Sequence, residues 1–217
     1  MTGKRPTARQ NVSNLPLPAH RPSRRDEILD AAIAVFAAQG FVDASISDVA
    51  ERADVAVTAV YYHFTGKEDL FGAAMRKVLN QISTVVETVR PSGGDSSPDA
   101  LRDVIDAVWD WIDANPAEAA LVHAQLPGGT PQMSTIRQEF QDRHVQRAFD
   151  YVENDWPKHL RPVARMGVAT LHLRTLVDML VSVQSMRMEE GPLSKLSPRA
   201  LRREVHRVAH DILMPNS

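Results

Sequence analysis

Cysteine is absent from the 217 residues of this chain. A chain without cysteine forms no disulfide framework, no cysteine-ligated zinc site and no thiol nucleophile, so three classes of protein are excluded together. Long uncharged apolar runs are also absent, because the most apolar stretch, residues 163–183, contains Arg165, Arg174 and Asp178. A membrane span does not tolerate such charges without partners, and the polar amino terminus does not resemble a signal peptide. We therefore expect a buried helix at residues 163–183, no membrane partner and a cytoplasmic protein.

Charge is unevenly distributed, although the formal net charge is only −2. Residues 1–25 contain six basic residues and no acidic one, whereas residues 26–70 contain nine acidic and two basic residues. A short basic arm of this kind is typical of proteins that contact phosphates. Residues 1–22 also contain four prolines, which is equally typical of a solvated leader, and an arm can be both. We expect residues 1–22 to be a disordered basic arm.

Helical periodicity recurs along the rest of the chain, and no segment alternates as a strand does. Ser23 and Ser45 each stand three residues before an aspartate, the spacing of a helix-capping pair. Gly40 is predicted to end the first helix, and a tight break at Asp54 separates two short helices. These features predict an all-α fold of about nine helices. Its first three helices form a helix-turn-helix domain, and a larger helical domain follows.

Five blocks in this amino-terminal region also resemble a known family. In chain order they are Glu27–Ala32, Phe36–Phe41, Ser45–Ala50, Val60–Phe64 and Lys67–Leu70. Their order and spacing are similar to the DNA-binding domain of the tetracycline-repressor (TetR/AcrR) family. The resemblance implies a DNA-binding domain over residues 23–71 and an effector-binding and dimerisation domain over residues 72–217. It implies a homodimeric repressor, not an enzyme and without a cofactor, that a small molecule releases from a palindromic operator in double-stranded DNA.

The way in which a helix-turn-helix binds DNA indicates which side chains should contact it. A recognition helix enters the major groove with its first turn, so Val57 and Thr58, with Tyr61 one turn later, are expected to contact bases. Phosphate contacts are expected from Arg24, Arg25, Ser45, Ser47, Tyr62, His63 and Lys67. Val60 and Phe64 fall on the core side of the same helix.

Structural alternatives exist for four of these residues. Ser45 is also a helix cap, and His63 can be a positive residue at a helix carboxyl terminus. Tyr62 can be a packing residue, and Lys67 a surface charge at the start of a helix.

Three positions depart from the family pattern. Asp54 stands where glycine is usual, but aspartate tolerates the left-handed conformation better than most residues. Ala56 stands where a small hydroxyl residue is frequent, which removes one cap. Val57 stands where many relatives have a polar or basic residue. It cannot hydrogen-bond a base edge, although it can contact a thymine methyl group.

The second domain carries no motif of its own. Helices at about residues 161–190 and 197–213 are the candidates for a four-helix dimer interface. Candidate effector-binding residues, for each of which ordinary core packing is the alternative, are Trp109, Met133, Phe140, His144, His172 and Met179.

Two patterns are considered for enzymatic or metal chemistry. Five acids between residues 99 and 113 share one helix face, but they lie opposite the apolar stripe, and we expect a solvated face. His206 and His210 share a helix face without a third ligand, so no metal is expected.

The alternative to a regulator is an all-helical protein-interaction module that has lost specific DNA binding. Salt-sensitive DNA binding discriminates between the two.

Overall fold

The computed structural model describes residues 23–89, 98–124, 134–136, 138–139, 162–188 and 191–213. Within these ranges the chain forms eight α-helices, further helical residues at 134–136 and 138–139 and one short 3-10 helix, Leu193–Lys195, with no strand, which confirms the all-α class. The predicted arm over residues 1–22 lies outside the described residues. The α-helices are α1 (Arg24–Asp43), α2 (Ile46–Arg52), α3 (Val57–His63), α4 (Lys67–Val89), α5 (Pro98–Ala114), α6 (Pro116–Ala124), α7 (Pro162–Met188) and α8 (Pro198–Leu213).

Helix α1 begins and bends at the predicted residues. The Ser23 hydroxyl oxygen accepts a hydrogen bond from the backbone N–H of Asp26, at 3.2 Å, and caps the helix. At Gly40 the backbone has φ 77°, which interrupts the helical conformation, and a short helical stretch to Asp43 follows. Residues with a Cβ rarely adopt this conformation. The prediction that the long helix ends at Gly40 is therefore confirmed.

Helices α2 and α3 are joined by a left-handed turn at Asp54, where φ is 52°. Ala56 then precedes α3 without any side-chain cap hydrogen bond. Val60 and Phe64 are buried in the same core as Ile28 of α1. The prediction that these two residues face the core is confirmed, and it fixes which side of α3 remains outside.

Helix α4 continues from the helix-turn-helix region into the second helical region. Near its start, the Phe71 ring packs 4.9 Å from the Phe36 ring of α1, edge to face. Further along, Val78 and Ile82 are buried in the same continuous core. Helix α1 contacts both α4 and α6. The boundary predicted between residues 71 and 72 thus falls inside one helix and one core.

The acidic face of α5 is not simply solvated. Three of its five acids are paired with side chains of α7 or α8: Asp106 with Arg202 and His206, Asp110 with Arg202, and Asp113 with Arg187. These pairs form because α7 and α8 place basic side chains beside α5. Asp110 and Asp113 nevertheless remain exposed, as expected for a solvated face, whereas Asp106 is partly buried. Among the described helices none is long and apolar enough to cross a membrane.

Candidate nucleic-acid interface

Four side chains of α3 lie on its outer side, and they are the ones predicted to face DNA. Val57, Thr58, Tyr61 and Tyr62 are exposed, whereas Val60 between them is fully buried. Tyr62 is 84% exposed, so the alternative that it is a packing residue is wrong. The outer side of α3 therefore offers two phenol groups, one hydroxyl and one isopropyl group to a partner.

Ser45 and Asp48 form a reciprocal capping box at the start of α2. The Ser45 hydroxyl oxygen accepts from the Asp48 backbone N–H at 3.1 Å, and the Ser45 backbone N–H donates to Asp48 Oδ2 at 2.9 Å. This hydrogen bonding lowers the pKa of the Asp48 carboxyl, so a carboxylate lies in the first turn of α2. The capping role of Ser45 is confirmed. Its contact with phosphate, and that of the exposed Ser47, remain predictions, and the Asp48 charge opposes them.

Lys67 is more than a surface charge. Its ammonium group donates a hydrogen bond to the carbonyl oxygen of Val42 at 2.8 Å and lies 4.8 Å from the centroid of the Phe41 ring. An ammonium group has three N–H donors. The contact with Val42 uses one of them, so the group is held in place while it retains donors for a phosphate.

Of the two arginines at the start of α1, Arg25 lies beside the recognition helix. Arg25 places its guanidinium carbon 5.0 Å from the centroid of the Phe64 ring, at the carboxyl end of α3. Arg24 is paired with Glu27 at 2.9 Å and remains largely exposed. His63 is half-buried in the last turn of α3, with its ring 5.0 Å from that of Tyr62. His63 thus lies at the carboxyl end of a helix, as its structural alternative expects, and its contact with phosphate stays a prediction.

The candidate effector-binding residues are only partly covered by the structure. Trp109 is buried in α5 and Met179 is partly buried in α7, two helices that pack against each other. The side chain of His172 lies outside the described residues, as do Met133, Phe140 and His144 entirely.

No sequence pattern pointed to the network beside Trp109. The Arg202 guanidinium carbon lies 5.8 Å from the Trp109 ring centroid, and its Nη2 donates to the backbone carbonyl of Asp106 at 3.1 Å. His206 Nε2 lies 2.9 Å from Asp106 Oδ1. The available signal was the shared four-residue spacing of the acids on α5 and the basic residues on α8. In the part of the chain that the structure describes, no three His, Asp or Glu side chains are placed to hold a metal ion.

The geometry of α1 to α3 defines a class of protein. Two short helices meet at a tight turn, the second presents an exposed outer side, and a longer helix packs against the first and shares a core with both. This is the helix-turn-helix arrangement of DNA-binding regulators. Residues 28–74 match the family model described as "Bacterial regulatory proteins, tetR family". Over these residues the chain is therefore similar to the DNA-binding region of that family of regulatory proteins.

Curated relatives are similar over slightly less than half of the chain. The HTH-type transcriptional regulator BetI of Stenotrophomonas maltophilia is 29% identical over 96 residues, which cover 44% of this chain and 49% of that protein. The HTH-type transcriptional repressor KstR2 of Rhodococcus jostii is 28% identical over 106 residues, which cover 49% of this chain and 52% of that protein. The chain thus spans about half the length of the curated relatives it matches.

Solved structures are similar over most of the chain. The fatty acid degradation regulator FadR of Bacillus halodurans superposes with a TM-score of 0.69 at 19% identity, covering 88% of this chain and 96% of that one. FadR of Bacillus subtilis, solved in complex with stearoyl-CoA, superposes with a TM-score of 0.68 at 18% identity, covering 88% and 99%. At these identities the likeness shows the fold.

Proposed function

We propose that this chain is a cytoplasmic, homodimeric transcriptional repressor that binds a palindromic operator and leaves it when a small molecule binds the helical domain. The observation that carries the proposal is the exposed outer side of α3 within a helix-turn-helix domain of the tetR family. A single helix-turn-helix contacts little DNA, so such proteins bind as two-fold dimers to symmetric sites.

The exposed side of α7 supports dimerisation. Leu171 is 61% exposed and Met186 is 52% exposed on this 27-residue helix. Large exposed apolar side chains on one element favour burial against a partner. Helix α8 differs, because its apolar residues Leu201, Val205 and Ala209 are buried within the protomer. We infer that α7 supplies the apolar part of the dimer interface and α8 a polar part.

The continuous core supports communication between the effector and DNA. Helix α1 packs against α4 and α6, and Lys77 Nζ of α4 lies 2.6 Å from Asp30 Oδ1 of α1. A shift of α4 or α6 therefore moves the helix-turn-helix domain. An effector that prefers the shifted arrangement lowers DNA affinity by population shift. In that arrangement the two α3 helices no longer match grooves about 34–36 Å apart.

A small-molecule effector is supported by the fold. A regulator of the same fold was solved with stearoyl-CoA bound, and Trp109 and Met179 place large apolar side chains on contacting helices α5 and α7. We propose that these two residues, with Met133, Phe140, His144 and His172, contribute to an effector site between the helices of the second domain.

The test is selection of bound sequences from a random DNA pool at two salt concentrations. Enrichment of a palindrome, with affinity that falls steeply as salt rises, supports a dimeric DNA-binding protein. The matched control is the double substitution Tyr61→Ala and Tyr62→Ala, at exposed positions, which should fold normally and enrich nothing. No enrichment by the wild-type protein, even at low salt, contradicts the proposal and favours a protein-interaction module.

A further inference from the structure

Resting on the proposed DNA-binding function, we propose that the protein identifies its operator mainly through thymine methyl groups in the major groove, with Val57 contacting the decisive one. The expected operator is thus a palindrome. Each of its half-sites has a C5-methylated pyrimidine, such as thymine, where the start of α3 contacts the bases.

The composition of α3 carries the first step. Guanine and adenine are recognised in the major groove mainly by Arg, Lys, Asn or Gln, which form paired hydrogen bonds with one base. None of these residue types occurs in α3, whose seven residues run from Val57 to His63. Its only imidazole, His63, is half-buried at the last position. The remaining polar groups are single hydroxyls. A hydroxyl can donate to an acceptor or accept from a donor on a base edge, so it discriminates weakly between bases.

The position of Val57 carries the second step. It is the first residue of α3 and follows Ala56, which is exposed and makes no cap hydrogen bond with its side chain. Val57 is 38% exposed although it is apolar. A β-branched side chain in a helix is confined to few rotamers, so the isopropyl group is presented in a fixed direction. The thymine methyl group is the one apolar group on the base edges of the major groove, and it is the matching partner.

Charged neighbours of α3 define the competing possibility. Arg52 ends α2 and is exposed, and it is the one residue of α2 that can bind guanine in a bidentate manner. Asp54 follows in the turn, exposed, and carries a negative charge two residues after Arg52. This charge opposes approach of the turn to DNA, which favours recognition by α3 itself.

The experiment replaces thymine by deoxyuridine, one position at a time, in the operator obtained by selection. Deoxyuridine lacks only the methyl group and keeps base pairing unchanged. In each half-site, the replacement at one position should weaken binding by about fourfold, the effect of one methyl-sized apolar group. The Val57→Ala protein should discriminate less between thymine and deoxyuridine at that position, because alanine keeps only the Cβ methyl group for the contact. Thr58→Ser, which removes a neighbouring methyl group and keeps the hydroxyl, is the matched control and should retain the discrimination.

A reciprocal substitution strengthens the test. Cytosine placed at the sensitive position should weaken binding, and 5-methylcytosine there should recover part of the loss through its methyl group.

The inference is overturned if deoxyuridine operators bind as tightly as thymine operators, or if Val57→Ala discriminates as the wild type does. It is also overturned if selection returns an invariant guanine whose preference disappears in Arg52→Ala. In each of these cases DNA binding itself, and with it the proposed function, still stands. If the wild-type protein binds no DNA at low salt, the proposed function fails and the inference with it.

Discussion

Lys67 Nζ donates a hydrogen bond to the carbonyl oxygen of Val42, 2.8 Å away and 25 residues earlier in the chain. The same ammonium group lies over the Phe41 ring, which packs 4.9 Å from the ring of Phe71 near the start of α4. The first residue of α4 is thereby fixed to the carboxyl-terminal part of α1. One side chain thus joins the helix that leads into the second domain to the helices that are proposed to meet DNA.

We expect Lys67→Ala to weaken operator binding, because it removes a cation that is held in place beside the DNA-facing helices. If the ammonium group contacts a phosphate, the plot of log affinity against log salt concentration should also become less steep, by about 0.9 for each protomer. Lys67→Met is the matched variant, since it keeps an apolar chain over Phe41 and removes the charge. Binding titrations at four salt concentrations measure both quantities. An unchanged slope in both variants would show that Lys67 only positions α4.

Tyr61→Phe should weaken operator binding by about two- to tenfold, the effect of one hydrogen bond. Tyr61 is 55% exposed on α3, so loss of its hydroxyl should leave folding and dimerisation unchanged. Fluorescence anisotropy with labelled operator measures affinity, and sedimentation equilibrium measures dimerisation. Tyr62→Phe is the comparison, because it removes the neighbouring hydroxyl. Wild-type affinity in Tyr61→Phe would remove this residue from the set that contacts DNA.

Asp54→Gly should stabilise the protein by about 0.5 kcal/mol, because glycine adopts the left-handed conformation without the Cβ penalty. The φ of 52° at this residue is the source of the effect. The substitution also removes a negative charge just before α3, so DNA affinity at low salt should rise. Asp54→Asn separates the two effects, since it removes the charge and keeps the side chain. Urea unfolding and DNA titration should show the same affinity gain in both variants and the stability gain only in the glycine variant.

Local signals in the sequence were sufficient for the helix-turn-helix region. The caps at Ser23 and Ser45, the stop at Gly40 and the left-handed turn at Asp54 each depend on interactions within a few residues. Because the residues that make these interactions are neighbours in the sequence, the sequence pattern predicts them, and the structure agrees. The inward direction of Val60 followed equally from helical periodicity.

Contacts between distant helices were not predictable in the same way. An acid at Asp106 has the same helical spacing whether it faces water or the guanidinium of Arg202. The choice is made by how α5 and α8 pack, which periodicity does not specify. The hydrogen bond from Lys67 to the Val42 carbonyl could not be predicted for a related reason. Every residue has a backbone carbonyl, so the acceptor has no signature in the sequence. For Trp109, inward periodicity is common to a core residue and to a pocket residue.

The stability of the protein should depend on pH through Asp48. Hydrogen bonding from Ser45 lowers the pKa of the Asp48 carboxyl from 3.8, so the folded state binds this proton less readily than the unfolded state. The contribution of the carboxylate is therefore fully present above about pH 3.8 and is lost as the pH falls through the lower folded-state pKa. Asp48→Asn should be less stable than the wild type at pH 6, and the difference should shrink below pH 3.8.

Urea unfolding at pH 6 and pH 3 measures this difference. Asp103→Asn, at an exposed position of α5, is the comparison and should show a smaller change between the two pH values. A difference between wild type and Asp48→Asn that stays constant with pH would mean that the capping box does not titrate as its hydrogen bonds imply.

Arg202→Ala should destabilise the protein by about 1–2 kcal/mol, because it removes the cation that Asp106 and Asp110 share and leaves Asp106 with His206 alone. Arg202 Nε lies 2.9 Å from Asp106 Oδ1 with the side chain 31% exposed, so this ion pair is partly shielded from solvent. Arg207→Ala is the matched control on the same helix. Its partners Glu204 and Asp211 belong to α8 itself and the arginine is 63% exposed, so the loss should be at most about 0.5 kcal/mol.

The same pair of variants tests whether α8 is coupled to the dimer interface. Arg202 joins α8 to α5 within one protomer, so its removal should loosen α8 and raise the dissociation constant of the dimer. Arg207 is exposed on α8 and affects dimerisation only if it contacts the other protomer directly. Sedimentation equilibrium at several protein concentrations separates these outcomes. Weaker dimerisation in Arg202→Ala alone assigns the effect to the position of α8, whereas weaker dimerisation in Arg207→Ala alone places the charged side of α8 in the interface.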